Sequence, residues 1–429
     1  MKSNKVSTIL HCICLLLAPV TAIFAQAPGN LPVYSSNTPV NYTRSWTATV
    51  PVTNPVTLAT GNMLQAKEVT QYIDGLGRPL QSVIKKGSLA TTDAANSSGS
   101  DTAAAADLVT PVLYDAYGRE AYTFLPFVAN TAGGNSSVRD GLFKTNPYAQ
   151  QDQFAAAQYN SQWTDAGYAY SQTMFEASPL NRVLEQFAPG ANWAGTATQS
   201  SEASRHSIKS KYWINTVADD VKVWHITDGS LGVPIASSYT VAGTYVQGEL
   251  IKTATVDEQG KQVIEFKDKQ GQLVLKKVQL SAAADDGSGS GHTGWICTYY
   301  LYDNLGNLRC VVQPEGVRTL SQNSWSFTST MLAEQCFRYE YDERNRMVIK
   351  KVPGTAEVVM VYDVRNRLVM TQDGNLRGQN LWNYTLYDNL NRAVKTGIFQ
   401  MPMGRPATGQ QRVAKVAIMP LSNTLNRGC

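Results

Sequence analysis

Most of the residues in this chain that have the right types and spacing for chemistry are aspartates in one repeated setting. Asp74, Asp115, Asp257, Asp268, Asp303, Asp342, Asp363 and Asp388, with Ser178 in the same place, each stand three positions before a glycine or asparagine. Those partners are Gly77, Gly118, Gly260, Gly271, Gly306, Asn345, Asn366, Asn391 and Asn181. The next residue is basic in seven of the nine, at Arg78, Arg119, Arg182, Lys261, Arg346, Arg367 and Arg392, while Gln272 and Asn307 break the rule. Carboxylates in series suit metal or sugar binding, but the same spacing also serves a turn. Asp at the first position of a type I turn accepts a hydrogen bond from the backbone two residues on. The fourth position falls in the left-handed region, as in a hairpin closed by a type I turn and a bulge, which Gly and Asn adopt cheaply. The turn reading predicts a basic side chain on the wet face. A Tyr before the Asp, present at 114, 302, 341, 362 and 387, caps the apolar face with its hydroxyl near water.

The remaining candidates do not assemble into a reaction centre, so no catalytic, cofactor-binding or metal-binding residue is assigned. His206, His225 and His292 lie in no H-x-x-x-H pattern and beside no Cys pair. No nucleophile elbow and no phosphate-binding loop is present. The adjacent carboxylates Asp219–Asp220 and Asp285–Asp286 resemble an acid–base pair for glycoside hydrolysis. Neighbours in a strand face opposite ways, however, and neighbours in a loop are usually solvated. Trp193, Trp213, Trp224, Trp295, Trp325 and Trp382 leave carbohydrate binding as an alternative, against the commoner use of Trp in a β core. Cys297, Cys310, Cys336 and Cys429 match no zinc spacing, and Cys297 and Cys310 flank one turn across which a bridge is one reading.

The elements that must position these residues are strands. Val69–Ile73, Gln81–Ile84 and Val112–Tyr114 are short β-type runs. Residues 248–280 alternate apolar and polar between turns, the pattern of half-buried strands. From about 212 onward the pattern is β throughout. One helix is expected where Asn146 caps, Pro147 takes the first position and "YAQQDQFAAAQYN" continues. "SAAADDGSGSGHTG" (281–294) reads as a flexible excursion.

The beginning of the chain fixes the compartment. Lys2 and Lys5 precede an apolar run from about Ile9 to Ala18, then Pro19 and small residues, which is a secretory leader with its cut expected after Ala25. The apolar run is too short to span a membrane. Of 37 basic residues, 35 remain after the cut, against 33 acidic, a net charge of +2. No basic stripe is present, so nucleic acid is not an implied partner. A hydrophobic content of 43% with only 16% charged residues suits an extracellular β protein. The organisation expected is a leader at 1–25, a linker at 26–45, an irregular β-rich domain with one short helix at 46–215, a β-strip of repeated hairpins at 216–399 and an irregular tail at 400–429. The fold class is mainly β, with the hairpins forming a curled sheet or shell segment.

The motif Y-D-x-x-G-[RN]-L, at intervals of about twenty, resembles the YD repeat of Rhs proteins, a family of large secreted bacterial proteins. "SWTATVPVTNP", "VTQYIDGLGRPLQSVIKKGS", "PVLYDAYGREAYTFLPFV" and "SQTMFEASPLNRVLEQFAPGANW" resemble the domain of unknown function that precedes such repeats in exported bacterial proteins. The resemblance implies a strip of hairpins that closes as a hollow shell, which in polymorphic-toxin members holds a variable C-terminal toxin. It implies a structural role with no catalytic residues, and a protein partner or a downstream repeat or toxin segment. The chain departs from the toxin-carrier plan in having few repeats, no self-cleaving core segment and no recognisable toxin.

Overall fold

Alternation of buried and less buried side chains marks several of the strands. In Ala66–Ile73 every second residue is buried, and Trp295–Tyr302 repeats the pattern with Trp295, Cys297, Tyr299 and Leu301 inward. The computed structural model describes residues 31–35, 37–60, 65–88, 105–159, 166–193 and 205–400. The expected leader with its cut at Ala25 lies outside the described residues, as does the tail apart from Gln400. The fold is mainly β, antiparallel, with few helices. Among the described residues no helix is long and apolar enough to cross a membrane.

Two compact units divide between Ile208 and Lys209. The first begins with strands β1 (Asn41–Ala48), β2 (Ala66–Ile73), β3 (Pro79–Ser88) and β4 (Ala106–Leu113), paired in that order. The stretch expected to be linker is therefore already strand from Asn41. β4 also pairs with β5 (Tyr122–Phe124) and β6 (Phe127–Val128), and β5 continues to β7 (Tyr170–Phe175) and β8 (Val183–Phe187). The expected helix is α1 (Pro147–Tyr159). The Asn146 side chain donates its amide to the Gly133 carbonyl. Two apolar groups close this unit, one around Tyr72, Val83, Val109 and Phe127 and the other around Phe124, Tyr148 and Tyr170.

The second unit is a meander. β9 (Ser207–Ile214) pairs with β12 (Ile251–Val256), followed in order by β13 (Gln262–Lys267), β14 (Leu273–Gln279), β15 (Trp295–Tyr302), β16 (Leu308–Val312), β17 (Cys336–Tyr341) and β18 (Met347–Lys351). β19 (Val358–Tyr362), β20 (Leu368–Gln372), β21 (Leu381–Tyr387) and β22 (Ala393–Gln400) complete it. A separate ribbon pairs β10 (Lys222–Thr227) with β11 (Ser238–Thr244). Because β9 hydrogen-bonds to β12, residues 209–214 belong here and not with the N-terminal domain. The expectation of β throughout is corrected by α2 (Pro314–Gln322), α3 (Ser329–Glu334) and α4 (Gly374–Gly378), which occupy connections between strands. Val317, Leu320 and Met331 from two of these helices enter the core formed by Ile264, Phe266, Leu275, Tyr299 and Leu301.

In a meander, successive connections alternate between the two edges of the sheet. The turns at 268–271, 303–306, 342–345, 363–366 and 388–391 therefore share one edge, while the longer connections and the turn at 257–260 lie on the other. The irregular spacing of the repeats follows. Each unit is two strands and one turn, and its length is set by whatever the opposite edge carries, from the short link before β19 to the α2–α3 pair.

Candidate functional site

All nine predicted fourth positions have positive φ, from 52° at Asn181 to 83° at Gly271. In eight of the turns the Asp Oδ1 accepts from the N–H two residues on and again from the N–H four residues on. At Asp363 those donors are Arg365 and Arg367, at 2.9 and 3.0 Å. The ninth, at Ser178, takes its carboxylate from Glu176, whose Oε2 holds Arg182 Nε at 2.8 Å and whose carboxyl is held down at about 2 by the Arg182 and Ser178 side chains. A carboxylate two residues before the turn's first position does not follow the Asp-x-x-[GN] spacing, so the sequence pattern does not reveal it.

The basic side chain is not simply on a wet face. Arg367 Nε donates to Asp363 Oδ2 at 2.7 Å, and its Nη1 reaches the next turn, donating to the Asp388 carbonyl at 3.3 Å and Asn391 Oδ1 at 3.2 Å. Its guanidinium lies 5.0 Å from the centre of the Tyr387 ring. Arg346 repeats this from Asp342 to Asp363, Asn366 and Tyr362. In the first unit Arg119 links Asp115 to Asn181 over Phe175, and Arg78 binds Asp74 and lies over Tyr114. The Tyr hydroxyls also differ from expectation. Tyr341, Tyr362 and Tyr387 donate to the carbonyls of Leu308, Met347 and Leu368 in the preceding hairpin. Each of these rungs ties one hairpin to the next across two strand spacings, about 9.5 Å. A planar fork suits this task because it binds a carboxylate and stacks on a ring at once.

These bonds also set the electrostatics. At Asp74 and Asp388 the backbone N–H four residues on holds the carboxyl below its ordinary value, helped by the arginine side chain. At Asp115, Asp342 and Asp363 burial pushes the carboxyl up and is outweighed by the same bonds, leaving it lowered.

The loop expected to be a flexible excursion is fastened from beneath. Asp285 is 5% exposed and Asp219 is fully buried. Both carboxylates bind Lys252 Nζ, at 2.6 and 2.7 Å. Gln262 clasps the Asp285 backbone through both ends of its amide. Lys277 Nζ donates to the carbonyls of Asp219, Ser290 and Gly291, and burial pushes its ammonium down to about 8. Asp219 and Asp285 are therefore not solvated. One buried ammonium shared between them ties up both carboxylates in a structural ion cluster.

The other candidates fall separately. Trp295 is in the core with Nε1 on Ser290 Oγ, and Trp213, Trp224 and Trp325 pack against that core. Trp193 lies against His206. His292 Nε2 meets the Tyr299 hydroxyl at 3.0 Å. Cys297, Cys310 and Cys336 are buried free thiols. Cys310 sits opposite Leu301, and Cys297 is four residues earlier on that strand, about 13 Å away along it, too far for a bridge. Cys310 instead neighbours Cys336, and burial raises its thiol. Among the described residues no group of three or more His, Cys, Asp or Glu side chains is arranged to hold a metal ion.

Residues 44–207 match the family model described as "Domain of unknown function (DUF6443)". The match starts inside β1 and ends at the first residue of β9. No curated protein matches the chain. Solved structures that overlap it include TcdB2-TccC3-TEV, at 12% identity and a TM-score of 0.44, and a Photorhabdus luminescens Tc holotoxin pore, at 13% identity and the same TM-score. In both cases the alignment covers 80% of this chain and 13% of the other. The chain therefore spans about an eighth of the length of those structures' chains. A TM-score of 0.44 lies below the level that establishes a shared fold.

The turn geometry predicts the outcome of two substitutions. Gly306 has φ +81°, and an added Cβ would stand 2.9 Å from Gln272 Nε2. Gly306→Val is expected to lose about 1–3 kcal/mol in urea denaturation. Asn366→Gly keeps the conformation and removes only the acceptor for Arg346, so it is expected to stay within about 1 kcal/mol of wild type. Equal losses would refute the left-handed assignment.

Proposed function

We propose that the chain is a non-catalytic, structural segment of an exported Rhs/YD-repeat protein, of the polymorphic-toxin or cell-surface type. The observation that carries this reading is the ladder of turns. The carboxylates that recur through the sequence are spent on brackets that join each hairpin to the next. Of the adjacent carboxylates that looked most like acid–base pairs, one member of each, Asp219 and Asp285, is paired with Lys252 in the core. Residues organised this way support the reading of a wall. Export is supported by the leader pattern at 1–25, and the repeat resemblance supplies the family.

The natural partner of such a strip is another strand. Among the described residues β22 pairs only with β21, and Val394 and Ile398 on it are exposed. An open edge recruits other chains. The secreted protein is expected to show partial association in size-exclusion chromatography and weak hydrogen-exchange protection at 393–400 relative to β13–β15. A monodisperse monomer protected evenly from 250 to 399 would mean a closed module. Reproducible hydrolysis of a glycan, lost on Asp220→Ala, would replace the structural reading with an enzymatic one.

A further inference from the structure

Of the five described turns on the shared edge, the one at 268–271 leaves its aspartate Oδ2 without a donor, and a cavity of about 320 Å³ lies there. At turn 268–271 Asp268 makes its two backbone bonds in the usual way, from Gln270 and Gln272 at 2.9 and 2.8 Å. Where six sister turns carry Arg, and the other two Lys261 and Asn307, the fifth residue is Gln272. Its amide does not touch Asp268 Oδ2 and makes a single long bond, 3.4 Å, to the Gly306 carbonyl in the next turn. No described residue donates to Asp268 Oδ2, the atom that holds a guanidinium at Asp74, Asp115, Asp342, Asp363 and Asp388. Tyr302 precedes the next turn as Tyr362 and Tyr387 precede theirs, and among the described residues no arginine lies over its ring. The cavity is lined by Asp268, Gln272, Tyr302 and Asp303, with Tyr245 and Trp224 behind them. Lys222 also reaches it, but its charge is met by Asp220 at 2.5 Å.

We propose that this gap is a recognition site for a guanidinium, specifically the side chain of an arginine presented by a polypeptide partner. The sister rungs show how the group is held. One edge of the fork meets the first turn's Oδ2, the other meets the carbonyl of the next turn's first residue, and the plane lies over the intervening ring. Asp268 Oδ2, the Asp303 carbonyl and the Tyr302 ring occupy those three places. A lysine ammonium can satisfy the carboxylate as a point charge, but it lacks the planar fork with separated N–H groups and the flat face that stacks on the ring. The rim residues Gln270 and Asn304 are exposed, so the gap opens to solvent. An arginine supplied from outside would complete the bracket and join the partner to the strip at the same edge as the other rungs.

The test uses N-acetyl-L-arginine amide as probe on the mature protein, read by the fluorescence of Trp224 and by NMR shifts. Saturable binding at least about tenfold tighter than that of N-acetyl-L-lysine amide is expected, reflecting the bidentate and stacked contacts. Asp268→Asn, which keeps the Oδ1 acceptor and the turn, is expected to weaken it about tenfold. Gln272→Arg is expected to fill the gap from within, abolish probe binding and raise Tm. Equal affinity for the lysine probe, or binding unchanged in Asp268→Asn, would overturn the proposal even if the Gln272 variant fails to fold. Free L-arginine binding more tightly than the capped amide would overturn the assignment to a polypeptide in favour of a small metabolite.

Discussion

Lys252→Met is expected to destabilise the protein by about 3–5 kcal/mol, because it strands two buried carboxylates. Lys252, Asp219 and Asp285 all have fully buried side chains, and the ammonium stands 2.7 and 2.6 Å from the two acids. Methionine matches the stem in size, so the loss measures charge and not packing. Other donors do reach the acids. Asp219 Oδ2 accepts from the Thr216 N–H at 2.8 Å, and Asp285 Oδ1 accepts from the Gly287 N–H at 2.8 Å. Those neutral bonds do not cancel two negative charges in a dry site. Lys277 cannot take over, since its Nζ is already given to three carbonyls. Adding Asp285→Asn to Lys252→Met removes one stranded charge and is expected to recover part of the loss, so the double mutant is less damaged than the single. Urea denaturation of the three proteins decides it. A loss under about 1 kcal/mol for Lys252→Met would mean that water reaches the cluster.

The turns were legible in the sequence because their requirement is local. A carboxylate that brackets its own loop and a residue that tolerates positive φ must stand at fixed offsets, and neither depends on the rest of the fold. The connection between turns was not legible. Arg346 and Arg367 look like solvated charges in the sequence, and only strand pairing shows that each ends on the next turn, 20 and 24 residues away. The loop at 281–294 misled for a related reason. Its Gly and Ser residues signal freedom, but Asp285 within it is tied to Gln262 and Lys252, which no local pattern reveals. The helices were missed although their caps are present: Pro314 at a first turn, Thr328 accepting from the Met331 N–H, and Asp373 accepting from the Leu376 N–H. They are short, five to nine residues, and too brief to impose a helical period on a β background.

This division has a functional side. A repeat whose turns close locally tolerates inserts on the opposite edge without losing register at the turn edge. The chain uses that freedom, placing α2 and α3 in one connection and the fastened 281–294 loop in another. The same logic explains why Gln272 stands out. In a series where neighbouring positions are mechanically equivalent, a departure from the pattern identifies a site from the sequence once the rung's structural task is known.

Acid is expected to unfold the second unit earlier than its turn carboxylates alone would allow, because of His292. Its ring lies in the core loop between Tyr299 and Trp325, and burial, with Lys277 nearby, pushes its pKa down to about 3. Hydrogen bonding explains the same preference. The Tyr299 oxygen accepts the Lys222 N–H at 2.9 Å, so its own proton is available for His292 Nε2 at 3.0 Å. That places the ring proton on Nδ1, towards Asp220 Oδ2 at 3.7 Å. Protonating Nε2 would destroy the acceptor and set two donors against each other. The folded state therefore binds fewer protons than the unfolded state, whose histidine titrates near 6.5. Stability is fully present above that value and falls as pH drops towards 3, by about 2–3 kcal/mol between pH 7 and pH 4.5. Asp342, Asp363 and Asp388, lowered in the folded state, add their loss only below about pH 4, so the two contributions separate. His292→Gln can still accept from Tyr299 but does not titrate. It is expected to be less stable than wild type at pH 7, from lost ring contacts, and nearly flat from pH 7 to pH 4.5. Urea midpoints across that range for both proteins measure the difference. Parallel slopes would show that His292 is protonated in the folded state and that the acid sensitivity arises elsewhere.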